Sequence, residues 1–195
     1  MKMNFTIACL LLAAVGTAPA QDEKARKHQP ESGEPAIITR DYIQDELILS
    51  DDQKQKLQKT SPGFMKILNA HDNGKIWAFL KETLNAEQFK RFEQLELQHE
   101  GPSALFRPQI AQDLKITGEQ RSQFMGLVQE MTKEIQPLIK ESKSAGNPGK
   151  MEEIRLTVIK LRMDCLGKIV ALMSDAQKKQ WNAMTGKPFD TLRHH

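Results

Sequence analysis

Four short segments of this chain repeat one pattern: an aliphatic residue, a Ser, Thr or Asn, two spacers, then glutamine. They are Leu49-Ser50 with Gln53, Leu84-Asn85 with Gln88, Ile116-Thr117 with Gln120, and Met173-Ser174 with Gln177. The physics of the spacing is that of a capping box. The side-chain oxygen at the N-cap accepts from the free N–H of the third helical residue, and a Gln or Glu there reaches back to the N-cap N–H. Four helix starts are marked in this way. An aliphatic residue before the cap can staple to the fourth helical position, but those positions are Lys54, Phe89, Arg121 and Lys178. Only Phe89 suits, so Leu49, Ile116 and Met173 must pack against other helices.

The four motifs belong to a larger repeat. An offset of 67 sets Arg40, Ile43, Leu47, Leu49, Ser50 and Gln53 over Arg107, Ile110, Leu114, Ile116, Thr117 and Gln120. An offset of 89 sets Leu84, Gln88, Phe92 and Leu95 over Met173, Gln177, Trp181 and Met184. Each half then runs into Gly and Pro, as Gly101-Pro102 and as Gly186-Lys187-Pro188. The chain reads as two half-repeats, about 40–106 and 107–190, the second longer by 22 residues in its middle. Two copies are too few for a solenoid, and no stretch alternates with period two, so the expected fold is one all-α domain of antiparallel helical hairpins with short capped helices.

Helical periodicity is strongest in the second half. Phe124, Val128, Met131, Ile135, Leu138 and Ile139 form one apolar seam, and Ile154, Val158, Leu161, Cys165, Ile169 and Leu172 form another. Their spacing of three and four suits coiled-coil pairing. The turn signal Ser144 to Gly149 between them predicts an antiparallel hairpin, with Pro137 kinking its first helix. In the first half, Leu57 to Ala70 carries Pro62, and His71 to Gly74 turns the chain into Ile76 to Thr83, which leaves two helices or one broken helix open there.

Residues 1–20 have the plan of a secretory signal: Lys2, an apolar run from Phe5 to Val15, and Ala18-Pro19-Ala20 before a cleavage site. The run is short of the roughly 20 residues needed to span a bilayer. Export to the periplasm with cleavage after Ala20 is expected, and no later segment is apolar enough to cross a membrane. Residues 21–38 mix both charges with Pro30, Gly33 and Pro35 and read as a disordered leader. The helical domain is expected over 39–190, with 191–195 frayed. Cys9 leaves with the signal, so Cys165 has no intramolecular partner and reads as a small core residue.

The four motifs, written LSDDQ, LNAEQ, ITGEQ and MSDAQ, resemble the LTxxQ motif of the Spy/CpxP-like family of exported helical proteins. The similarity covers about 49–184, with four motif copies where that family usually has two. The resemblance implies a small all-α periplasmic protein of long antiparallel helices, and a function as an ATP-independent chaperone or in the response to envelope or metal stress. It also implies a cradle-shaped homodimer, although an internal repeat could supply the same packing within one chain. The partners so implied are unfolded or partially folded envelope proteins. Two other functions stay open: a stress- or metal-responsive protein that docks on a membrane sensor, and a structural envelope protein.

Nothing in the chain suggests an enzyme. It has no HExxH, CxxC, GxSxG or phosphate-binding glycine loop, and no cofactor is expected. The histidines His28, His71, His99, His194 and His195 form no ligand set; a calcium loop from Asn69 fails at Leu80, where a bidentate Glu is required. Lys plus Arg number 28 against 25 for Asp plus Glu, a net charge of +3 that argues against nucleic acid as a partner. The charge is uneven, however: 13 basic and 9 acidic residues follow Thr117, against 14 and 16 over 21–117. Six methionines also lie in the second half. Most suit helix packing, while Met125, Met131 and Met163 are candidate contacts for apolar clients, since flexible thioethers fit many partners.

Overall fold

A computed structural model describes residues 33–58, 61–144 and 147–189. Residues 1–20, expected to be a signal, the expected leader as far as residue 32, and residues 190–195 lie outside the described residues. Within them the fold is all-α. Nine α-helices follow one another: α1 Asp41–Glu46, α2 Asp51–Leu57, α3 Pro62–Asn69, α4 Asn73–Thr83, α5 Ala86–Glu100, α6 Pro108–Asp113, α7 Gly118–Ser144, α8 Pro148–Ala171 and α9 Asp175–Thr185. Two 3-10 turns, Pro35–Thr39 and Gly101–Phe106, precede α1 and α6.

The capping motifs start α2, α5, α7 and α9. Ser50, Asn85 and Ser174 each accept from the N–H of the motif glutamine, which returns to the cap N–H. At α7 the same pair forms, with Gln120 N–H donating to Thr117 Oγ1 at 3.1 Å and Thr117 N–H to Gln120 Oε1 at 3.2 Å. The region left open between Leu57 and Thr83 is filled by α3 and α4. Pro62 is the first residue of α3, where its missing N–H costs nothing. His71 sits in the left-handed region at φ 51°, and the Asp72 carboxylate caps α4 by accepting from Lys75 N–H at 3.1 Å.

Two buried clusters form the interior. The first gathers Ile37, Ile38, Ile43, Leu57, Phe64, Ile76, Trp77, Leu80, Leu84, Phe92 and Leu95. The second gathers Leu97, Leu105, Ile110, Leu114, Phe124, Val128, Cys165, Ile169, Met173 and Trp181. Helix α5 serves both, through Phe92 and Leu95 on one side and Leu97 on the other. Positions 67 apart are buried alike: Ile43 with Ile110, Leu47 with Leu114, and Leu57 with Phe124. Cys165 is a buried free thiol, and its burial pushes the thiol pKa up.

Helices α7 and α8 pack along one another. Lys150 lies 3.4 Å from Glu141 near one end, and Gln120 donates to the Leu172 carbonyl near the other, so they run antiparallel. Pro137 lies inside α7, exposed, and the helix continues through it to Ser144.

The leader needs a correction. Residues 33–38 were expected to be disordered on their charge and their Pro and Gly content, but they belong to the fold: Pro35, Ile37 and Ile38 are buried in the first turn. Two adjacent isoleucines entering the first cluster outweigh the polar residues around them, and a run of six residues is too short for composition to decide.

Candidate interaction surface

The motif glutamines do more than cap their own helices. Gln53 and Gln88 face each other and exchange amide hydrogen bonds, Gln53 Nε2 to Gln88 Oε1 at 2.8 Å and Gln88 Nε2 to Gln53 Oε1 at 3.2 Å. Gln120 and Gln177 do the same, both at 2.9 Å. Each amide nitrogen also donates to backbone that precedes the partner's cap. Gln53 reaches the Thr83 carbonyl and Gln88 the Leu47 carbonyl, at 2.9 and 3.2 Å. Gln120 reaches Leu172 and Gln177 reaches Leu114, at 3.2 and 3.0 Å. Each pair is therefore a knot that ties two helix starts together through carbonyls that the ends of the preceding helices leave unpaired.

The knots explain why the third helical residue is always glutamine. Its oxygen accepts twice, from its own cap and from its partner, while its nitrogen donates twice. A glutamate could fill only the accepting role. The carbonyls offered to Gln88 and Gln177 follow from local chain geometry. Helices α1 and α6 end with Ile48 and Lys115 in the left-handed region, at φ 51° and 52°. Leu49 N–H then returns to the Gln44 carbonyl, and Ile116 N–H to Ala111, as in a Schellman ending. For a β-branched residue this backbone is strained, and Ile48 is also 85% exposed. Glycine would have signalled such an ending; isoleucine and lysine gave no warning.

Leu49, Leu84 and Met173 are buried and Ile116 is packed against the second cluster, so the motif aliphatics lie in the two cores. They thus help to hold the two cores together. A polar junction lies between the cores. Glu96 is 1% exposed on α5, paired with Arg107, which also pairs with Glu100. Arg162 of α8 donates to the carbonyls of His99 and Glu100 at 2.9 and 2.8 Å. Burial lowers the Arg162 pKa, partly offset by Glu34. Apart from Arg107, matched with Arg40 in the repeat, none of these residues stood out in the sequence. The available signal was one acid, Glu96, between Leu95 and Leu97 at a buried position.

The remaining surface of note lies on the long hairpin. On α8, Met163 is 60% exposed and Leu156, seven residues earlier and so on the same side, is 41% exposed. Leu172, at the start of the link to α9, is 44% exposed. The flanking Ile159, Leu166 and Val170, and Met125, Ile135, Leu138 and Ile139 on α7, are only half-buried. Of the methionines named above, Met163 is open to solvent, Met125 is half-buried, and Met131 packs against the second core. The arrangement offers apolar contact on one side of the hairpin. Among the described residues no three of His, Cys, Asp and Glu are placed to hold a metal ion, and no helix is long and apolar enough to cross a membrane. Compared with protein-family models, with curated proteins and with solved structures, the chain matches none.

Proposed function

We propose that this chain is an exported, non-enzymatic binding protein of the Spy/CpxP-like kind, which shields apolar segments of unfolded or partially folded envelope proteins without nucleotide. The observation that carries this reading is the line of Leu156 and Met163 along α8, large apolar side chains left in water on a helix whose opposite side is packed through Ile154, Cys165 and Ile169. Such exposure costs free energy unless a partner covers it, and covering each half-exposed side chain contributes about 1 kcal/mol. Several weak, movable contacts of that size give reversible holding rather than a fixed complex. The basic excess after Thr117 steers net-acidic unfolded chains toward the same half of the molecule.

The test is suppression of light scattering by a reduced or heat-denatured client. Protein beginning at Gln21 should slow scattering at stoichiometric amounts, and the double substitution Leu156→Asp with Met163→Asp should remove most of that effect while keeping the helical circular dichroism. Unchanged scattering with the wild-type protein would sink the proposal. Full activity in the double variant would move the client surface off α8.

A further inference from the structure

Residues 33–39 are held in the manner of a bound peptide. The Gly33 carbonyl accepts from Asn73 Nδ2 at 2.8 Å, the Glu34 N–H donates to Glu96 Oε1 at 2.8 Å, and the Glu34 carboxylate lies 3.3 Å from His99 Nε2. Gln44 Nε2 takes the Ile38 carbonyl at 2.9 Å. Ile37 and Ile38 then enter the first core beside α1, α4 and α5, and Pro35 is buried ahead of them. Asn73, Glu96 and His99 lie 40 or more residues away in the chain. The strap joins α1 through one extended residue, Arg40, at φ −87° and ψ 129°.

The seat also selects what lies in it. A Cβ on Gly33, whose φ is 148°, would fall 2.3 Å from Glu96 Oε1 and 2.6 Å from Arg107, so only glycine passes over the buried pair. Next to it the seat is made for a carboxylate. His99 contacts Glu34, with Arg162 and Arg40 adding positive charge, while the nearby Glu96 and Glu100 are already paired with Arg107. The His99 hydrogen bond holds the Glu34 carboxyl below its usual pKa, against the opposing effect of partial burial.

We propose that the surface under residues 33–39 is a peptide-binding groove which the chain's own strap fills in cis. In trans it takes a segment of the same chemistry: glycine, a carboxylate residue, and two adjacent aliphatic side chains three and four residues after the carboxylate. The proposal deepens the client-shielding reading, and rests on it for its purpose, by naming one class of segment that is held. A strap that is seated most of the time lowers the apparent affinity for a free peptide by the fraction of open molecules.

The experiment uses the full chain and a fluorescein-labelled peptide GEPAIIT, read by anisotropy without any client. A strap-weakened variant, Ile37→Ser with Ile38→Ser, should bind the peptide at least tenfold tighter than wild type. Gly33→Ala, which lifts only the start of the strap, should give a smaller gain of about threefold, and a peptide with Gln for Glu should bind about fivefold more weakly. Emission from Trp77, in a Trp181→Phe background, should shift red in the open variant and return blue with peptide. No gain in affinity in either variant overturns the groove, as does equal binding of a peptide with Ser for both isoleucines. Loss of helical dichroism in the double variant also overturns it, since the strap would then be core and not ligand. A protein that suppresses scattering but takes no peptide refutes the groove alone. One that takes the peptide but suppresses nothing supports the groove and refutes the client reading.

Discussion

Replacing Gln177 by Glu separates capping from knotting, because the two predict opposite signs. For capping alone glutamate serves as well as glutamine, and near a helix N-terminus its charge is favourable by about 0.3–1 kcal/mol. In the knot, Gln177 is buried, with its Nε2 donating to Gln120 Oε1 at 2.9 Å and to the Leu114 carbonyl at 3.0 Å. Glutamate removes both hydrogen bonds, at about 1 kcal/mol each, and turns a carboxylate oxygen toward two acceptors, one of them a carbonyl left unpaired at a further cost of about 1–3 kcal/mol. Gln120 cannot flip to compensate, since its oxygen is needed by the Thr117 N–H. The expected destabilisation is about 3–4 kcal/mol at pH 7. Urea unfolding should show it as a midpoint lowered by about 1.5 M for an m-value near 2 kcal/mol/M. Stability should recover partly below about pH 4, where a protonated carboxyl regains one donor. A Gln177→Glu protein as stable as wild type at pH 7, or more so, would refute the knot and leave only four helix caps.

Four further outcomes follow from particular contacts. Ile48→Gly should stabilise the protein by about 0.5–1 kcal/mol in urea titrations, because it relieves a left-handed β-branched residue that packs on nothing. Arg107→Ala should cost about 3–5 kcal/mol by leaving Glu96 buried and unpaired, whereas replacing Glu96 and Arg107 together by Leu and Met should recover only part of the loss in the same titration, because Glu100 and the Glu34 N–H then lose these partners. Cys165 should resist alkylation in the native protein and react only on unfolding, so pulse labelling with iodoacetamide followed by mass spectrometry should track the urea transition. Glu34 has a lowered folded pKa, so its stabilising effect is full above the ordinary carboxylate range and is lost as pH falls through the lowered value. The stability gap between wild type and Glu34→Gln should therefore close on acidification; a gap independent of pH would contradict a Glu34 carboxylate held by the His99 hydrogen bond.

The helical fold class was legible because capping and periodicity are local signals. Ser50, Asn85, Thr117 and Ser174 announce helix starts within four residues of themselves, and the seams from Phe124 and Ile154 announce a pair of long helices. What stayed hidden depends on contacts between distant residues. The pairing of Gln53 with Gln88 spans 35 residues and that of Gln120 with Gln177 spans 57, and the sequence hinted at neither beyond its refusal of glutamate. Glu96 and Arg107 look like any surface acid and base until α5 and the second 3-10 turn enclose them. The strap escapes a compositional reading for a different reason. Composition is an average, and Ile37-Ile38 act as two anchors whose burial the surrounding Glu, Pro and Gly dilute but do not oppose.

The two knots also account for where apolar surface is left over. Each closes a loop of chain between its helix starts. The shorter loop, between Ser50 and Asn85, folds back as α2, α3 and α4, with Phe64 fully buried and stacked on Phe79 at 5.2 Å. The longer one, between Thr117 and Ser174, is spent on two helices of 27 and 24 residues. At 1.5 Å per residue these run about 40 and 36 Å, well beyond the knot that fastens their base. Phe124, Val128, Cys165 and Ile169, near that base, are buried in the second core, with Leu127, Met131, Leu166 and Val170 packed against it; farther out on α8, Ile154 is buried while Leu156 and Met163 are exposed. The 22 residues by which the second half-repeat exceeds the first are thus enough to turn a self-covering loop into a hairpin with one open apolar side. In a protein whose two halves share the same fastening, that added length is the feature on which a difference in function would act.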